Sequence, residues 1–196
     1  HTAVPNGVDA FSPTGAWALS LKEDSLTLIR TATGAATTLR RTIHSPGAKV
    51  SFSPDDQYVS CAGSEGGVAE VFTIATGRSA LLWHEASVDA STFSPDSSLL
   101  ATQAAGKLRI WKWRTKEVVA QCQIRGRIRE IAFNQTGVLV ATPSWVHWLS
   151  FDGSVLTPSG SRQLHGAWTG AYWLDPAGAA LRTILRVTRG YVRPES

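Results

Sequence analysis

The chain contains no methionine and only two cysteines, Cys61 and Cys122, among 196 residues. With His1 as the first residue, the missing methionine leads to the expectation that the sequence begins inside a longer gene product or after processing. The cysteines are far apart and form no Cys-x-x-Cys spacing. A thiolate metal site or redox pair is therefore not expected, whereas two buried thiols in a reducing, cytoplasmic compartment are. No apolar run approaches the roughly 18 to 20 residues that a membrane helix needs, and no charged, apolar, small-residue leader opens the chain, so no membrane partner is expected. Charge of either sign is scarce. Nineteen basic against fifteen acidic residues leave +4, which by itself selects no partner. Apolar positions three and four apart are also missing over any stretch of ten residues free of Gly, Pro or turn clusters, which excludes helices as the main element. The chain lacks a Gly-Lys-Ser/Thr phosphate loop and a G-x-S-x-G elbow.

Present instead is a repeat. FSPDDQYVSCAG from Phe52 returns as FSPDSSLLATQA from Phe93. Upstream stands FSPTGAWALSLK from Phe11; downstream stand FNQTGVLVATPS from Phe133 and the weaker WLDPAGAALRTI from Trp173. The spacings are 41, 41, 40 and 40 residues, a period of propeller blades rather than of solenoid turns. Each copy holds four short apolar runs separated by turn residues. In the third, VDASTF alternates into the Phe, SPDS turns, SLLATQ is a second strand, AAGK turns, and LRIWKW and VVAQCQ follow across RTKE. Small residues recur in the second strand (Ala18, Ser60, Cys61, Ala101, Ala141), where neighbouring blades of a radial array come closest. The hydrophobic content of 43% suffices for a substantial core.

These copies resemble WD-repeat β-propeller blades. The resemblance is carried by FSPD or FSPTG, by an anchor late in the third strand (Ile29, Phe72, Trp111), by an ATG-like turn after it, and by His44, His84 and His165 eight or nine residues before the aromatic residue that opens each repeat. It covers about the whole chain, with departures. Trp83 stands where Gly precedes the family's His, Lys112 replaces the Asp of the name, and Arg125 lies near the place of a fourth His. Glu65 is the only acid close to the family's Asp in the turn between the second and third strands. The Asp-His-Ser/Thr-Trp network that staples family blades is accordingly expected to be mostly incomplete. The resemblance implies an all-β propeller of four-stranded antiparallel blades, with four complete repeats and a partial fifth. Residues 1–196 are read as a single propeller segment that is part of a larger ring, completed by the same chain or another; a five-bladed closure using HTAV is the alternative. Repetition has a physical reason: a blade has two apolar faces, and each is buried by a copy of itself.

Chemistry is not legible in the remaining residues. Acids do not recur at a channel-facing position of successive blades, and the pairs Glu23-Asp24 and Asp55-Asp56 fall in turns, where adjacent acids are ordinarily solvated. His147 in WVHWLS has no second ligand at a useful spacing, so no metal is expected, nor any catalytic residue or cofactor. Trp111, Trp113, Trp145 and Trp148 read as core or blade-edge packing. The expected function is a non-catalytic protein-interaction scaffold of a larger assembly. The alternatives are an enzyme or ligand-binding propeller with a central-channel site, and nucleic-acid binding through a basic surface. Charge is concentrated in one window. Between residues 107 and 130, eight basic residues stand against Glu117 and Glu130, a local +6 where the whole chain carries +4. Lys107, Arg125, Arg127 and Arg129 are the candidate partner-binding residues on one rim, with Arg114 and Lys116 on the other. An acidic protein segment is the expected partner.

Overall fold

The structure, a computed structural model, describes residues 7–22, 24–42, 48–63, 66–126, 128–134, 136–163, 172–174 and 181–183, the last two segments by backbone alone. The described residues contain no helix. Blade one comprises β1 (Ala10–Phe11), β2 (Trp17–Leu21), β3 (Ser25–Arg30) and β4 (Ala36–Arg40). Blade two comprises β5 (Lys49–Phe52), β6 (Tyr58–Ala62), β7 (Val68–Thr73) and β8 (Ser79–Trp83). Blade three holds β9 (Val88–Phe93), β10 (Leu100–Ala104), β11 (Lys107–Lys112) and β12 (Glu117–Gln123); blade four holds β13 (Glu130–Phe133), β14 (Gly137–Ala141), β15 (Trp145–Phe151) and β16 (Leu156–Gln163). A two-stranded sheet of β17 (Tyr172–Leu174) and β18 (Leu181–Thr183) follows, where the partial fifth repeat was expected.

Every blade is an antiparallel meander in sequence order. The first strands of successive blades touch, β5 against β9 and β9 against β13, so they form the inner edge of the array. The fourth strands lie outside and are the most exposed. The described blades stand side by side without closing a ring. The upper rim carries the turns between second and third strands and the connections between blades; the lower rim carries the FSP turns and the turns between third and fourth strands.

The repeated residues build the stacking. Phe52, Phe93 and Phe133 are 8%, 4% and 8% exposed, each packed between its own blade and the preceding one. Phe11 holds the same position in blade one and is 55% exposed. The small residues Ala18, Ser60, Cys61, Ala101 and Ala141 are all buried in the second strands. In the FSPD turns, the hydroxyls of Ser53 and Ser94 donate to Asp55 and Asp96 (both 2.5 Å) and accept the N–H of Tyr58 and Leu99 (both 2.9 Å). Ser12 repeats the second of these bonds with Trp17 (3.1 Å).

Blade four departs from this turn. Asn134 N–H reaches Gly137 O, three residues on, where Ser53 and Ser94 reach five residues on, so the hairpin is two residues shorter. Val138 therefore pairs with Phe133 as Leu100 pairs with Phe93, and Val140 takes the place that Thr102 holds in blade three. A side chain on Gly137 would run into the Leu149 carbonyl of the neighbouring strand.

The turn between third and fourth strands ends on a left-handed residue. Gly34 (φ 73°) and Gly77 (φ 67°) occupy that position in blades one and two; Lys116 (φ 61°) occupies it in blade three. A side chain in this region is strained. Lys116→Gly is expected to raise stability by about 0.5–1 kcal/mol, read as a shift of the urea midpoint at unchanged slope. A lower midpoint would mean that the exposed lysine makes a contact outweighing the strain.

Candidate functional site

Blade three retains three members of the expected staple. His84 Nε2 lies 2.8 Å from Thr102 Oγ1, and Trp111 Nε1 donates to the same oxygen at 2.7 Å. The other ring nitrogen, Nδ1, lies 3.0 Å from Leu82 O. Burial drives the His84 pKa down to about 4, so the ring is neutral at physiological pH and serves as a hydrogen-bonding strut. The turn position near the family's Asp is held by Ala105, in a left-handed conformation (φ 49°) beside Gly106. Blade two has Phe72 at the position of Trp111 and Cys61 at that of Thr102, and its neighbouring Ser60 hydroxyl contacts Ser91 of blade three at 2.9 Å.

One position of the third strand carries the buried charge. In β7 it is Glu70, 3% exposed, which accepts the Thr42 N–H (3.0 Å), the Thr42 hydroxyl (2.7 Å) and the Ser79 hydroxyl (2.7 Å). Arg41, 7% exposed, joins this cluster beside Cys61. Burial pushes the Cys61 thiol up to about 11, with Arg41 pulling it down and Glu70 pushing it up, which leaves it unreactive. In β11 the same position is Arg109, whose Nη2 donates to both oxygens of Glu85 at 2.6 Å. That bond, made largely by the Arg109 side chain, lowers the Glu85 pKa to about 2.

The inner strands carry Lys49, Asp89 and Glu130 at or next to their first residues. Burial raises the Glu130 pKa to about 7, against the pull of Lys49. Among the described residues no group of three His, Cys, Asp or Glu side chains could hold a metal ion. The pair Asp55-Asp56 is not simply solvated, as its turn position suggested. Asp55 is exposed, but Asp56 is 7% exposed, left-handed (φ 55°), and accepts the hydroxyls of Ser12 (2.7 Å) and Thr14 from blade one. It is a clamp between blades. Glu23, Glu65, His44 and His165 lie outside the described residues.

The candidate rim residues are brought together in part. The Ile124 N–H bonds to Gly106 O (2.9 Å), which sets the connection carrying Arg125 beside the turn before Lys107. Lys107 leans toward Glu85 (4.0 Å), the acid already bound to Arg109. Arg125 is exposed and lines an open groove of ≈ 570 Å³ with Asp89, Gln103, Gln123 and the glycines 106 and 126. Arg129 is exposed immediately before β13; Arg127 lies outside the described residues. Neither Arg125 nor Arg129 has an acidic partner among the described residues. Arg114 and Lys116 sit at the other end of β11, on the lower rim. One aromatic feature was not foreseen: Trp145, 40% exposed, stacks on His147 at a 6.3 Å centroid distance. Its strand-initial position beside the Thr142 turn was the available signal.

No curated protein matches the chain. Residues 78–112 match the family model of the WD domain, G-beta repeat, a span running from the end of blade two through the His84–Thr102–Trp111 strut to the close of β11. The chain thus matches one WD repeat across the His84–Thr102–Trp111 strut, and its four-stranded antiparallel sheets are consistent with blades of a β-propeller.

Proposed function

We propose that the chain is a non-catalytic scaffold that holds an acidic segment of a protein partner on the upper rim between blades three and four. WD repeats in general mediate protein–protein interaction. The observation that carries the finer reading is the uncompensated charge of Arg125 and Arg129: both are exposed, neither has an acidic partner among the described residues, and Arg125 lines an open groove. Lys107 and Arg127 complete the patch in this reading. Charge of this kind steers encounter and selects partners more than it adds affinity. The Glu70 cluster is buried inside the blades and the Arg109–Glu85 pair ties a connection to β11, which supports a scaffold over turnover. The open face of blade one, where Phe11 is 55% exposed, is read as covered by a further blade from this chain or another. The free thiols Cys61 and Cys122 suit the cytoplasm.

The test is direct binding of a glutamate-rich peptide to the parent chain and to an Arg125→Glu, Arg129→Glu variant at two salt concentrations. The variant should bind at least about tenfold more weakly at low salt, with a melting temperature within a few degrees of the parent, because exposed charges contribute little to stability. Equal binding by both proteins would rule the patch out. Tighter binding of a DNA or RNA oligonucleotide than of the peptide would overturn the choice of partner.

A further inference from the structure

We propose that the lower-rim cleft between blades two and three binds a phosphate monoester carried on a side chain of a protein partner. This site lies at the opposite end of the strands from Arg125 and does not depend on the upper-rim reading. The cleft, ≈ 240 Å³, is lined by Tyr58, Thr73, Arg78, Ser79, Trp113 and Arg114 together with two apolar residues, and no carboxylate lines it.

Arg114 is held in place before any ligand arrives. Its guanidinium lies 4.8 Å from the Tyr58 ring centroid and 4.3 Å from that of Trp113, while Nη1 donates to Ser97 O at 3.4 Å. The two rings are themselves packed edge to face, 4.7 Å apart, and Trp113 Nε1 also donates to Ser97 O (3.1 Å). A stacked, anchored guanidinium loses little freedom on binding an anion, and its planar fork suits phosphate oxygens. Arg78 is exposed at the same cleft. Neither arginine has an ion-pair partner among the described residues. Glu70, the nearby acid, is 3% exposed and takes the Ser79 hydroxyl as a donor, which leaves the guanidiniums and the Tyr58 and Thr73 hydroxyls to face a ligand.

The repeat supplies an internal comparison. Counted from the left-handed turn residues Gly77 and Lys116, blade two places Ile74 and Ala75 where blade three places Trp113 and Arg114, and Arg78 answers to Glu117. Blade two stacks on blade one without a counterpart of Trp113 and Arg114; there the ring equivalent to Tyr58, Trp17, is covered by Arg30 of its own blade at 4.6 Å. Two guanidiniums match the charge of roughly −1.5 to −2 on a phosphate monoester better than the single charge of a carboxylate.

The experiment is calorimetric titration, at fixed ionic strength, with a short glycine-flanked phosphoserine peptide, its glutamate counterpart and inorganic phosphate. The phosphopeptide should bind saturably, and at least about tenfold more tightly than either other probe. Arg78→Gln should weaken it by about tenfold with an unchanged melting temperature, since Arg78 is exposed. Arg114→Gln should weaken it at least as much, while Arg125→Glu should leave it unaltered. Equal affinity for the glutamate peptide, for inorganic phosphate, or for the parent and Arg78→Gln proteins would overturn the proposal, as would no phosphopeptide binding at about 10 mM.

Discussion

Phe93→Ala is expected to destabilise the chain by about 3–5 kcal/mol, the usual loss when a buried aromatic is truncated and its neighbours cannot collapse into the space. The ring is 4% exposed and lies 6.5 Å from Tyr58 of the preceding blade and 6.3 Å from Trp113, centroid to centroid. It therefore ties blade two to blade three while filling the core beneath Leu100 and Trp111. The repeat provides its own control. Phe11 is the same residue type at the same blade position but is 55% exposed, so Phe11→Ala should cost under about 1 kcal/mol. Denaturant melts of both variants, compared with the parent, give the two numbers. Similar losses from both would mean that blade stacking is not what buries Phe93.

The second large effect is expected at Glu70. Glu70→Ala should cost about 3–5 kcal/mol, because it removes the acceptor from three donors and leaves the buried Arg41 in the same cluster. Thr42 precedes blade two and Ser79 belongs to its outer strand, so the carboxylate fastens the entering connection to the blade it feeds. Glu70→Gln keeps the shape and one carbonyl oxygen, and should lose less than the alanine variant. A loss below about 1 kcal/mol for Glu70→Ala would show that water satisfies the donors as well as the carboxylate does.

Much of the architecture is legible in the sequence. Phe52, Phe93 and Phe133 recur at one period, and the Ser-Pro-Asp turns obey local chemistry, in which a short side chain caps its own hairpin. Such signals survive in sequence because both partners lie within a few residues. The readings that failed or were absent concern contacts between blades. Asp56 looked solvated beside Asp55, yet one of its carboxylate oxygens accepts from both Ser12 and Thr14, more than forty residues away. Glu70 is a single acid in an alternating apolar strand, and its donors come from Thr42 and Ser79. Its equivalence to Arg109 emerges only once the pairing register is known. The two-residue contraction in blade four is similar: FNQTG aligns with FSPDS by eye, but the ladder places Val140, not Thr142, opposite the position of Thr102. For the candidate site, sequence located the excess of positive charge. It did not show that Lys107 leans toward Glu85, or that Arg114 is caught between two rings.

The central claim is that one blade plan, buried most deeply in its second and third strands, repeats along the chain. Amide hydrogen exchange across residues 48–163 tests it most directly. Protection should peak in the second strands β6, β10 and β14, which are paired on both sides and buried almost throughout, and should fall in the outer strands β8, β12 and β16, which are paired on one side only. The maxima should recur every 40 residues or so. Maxima in the outer strands, or protection with no such period, would contradict the account.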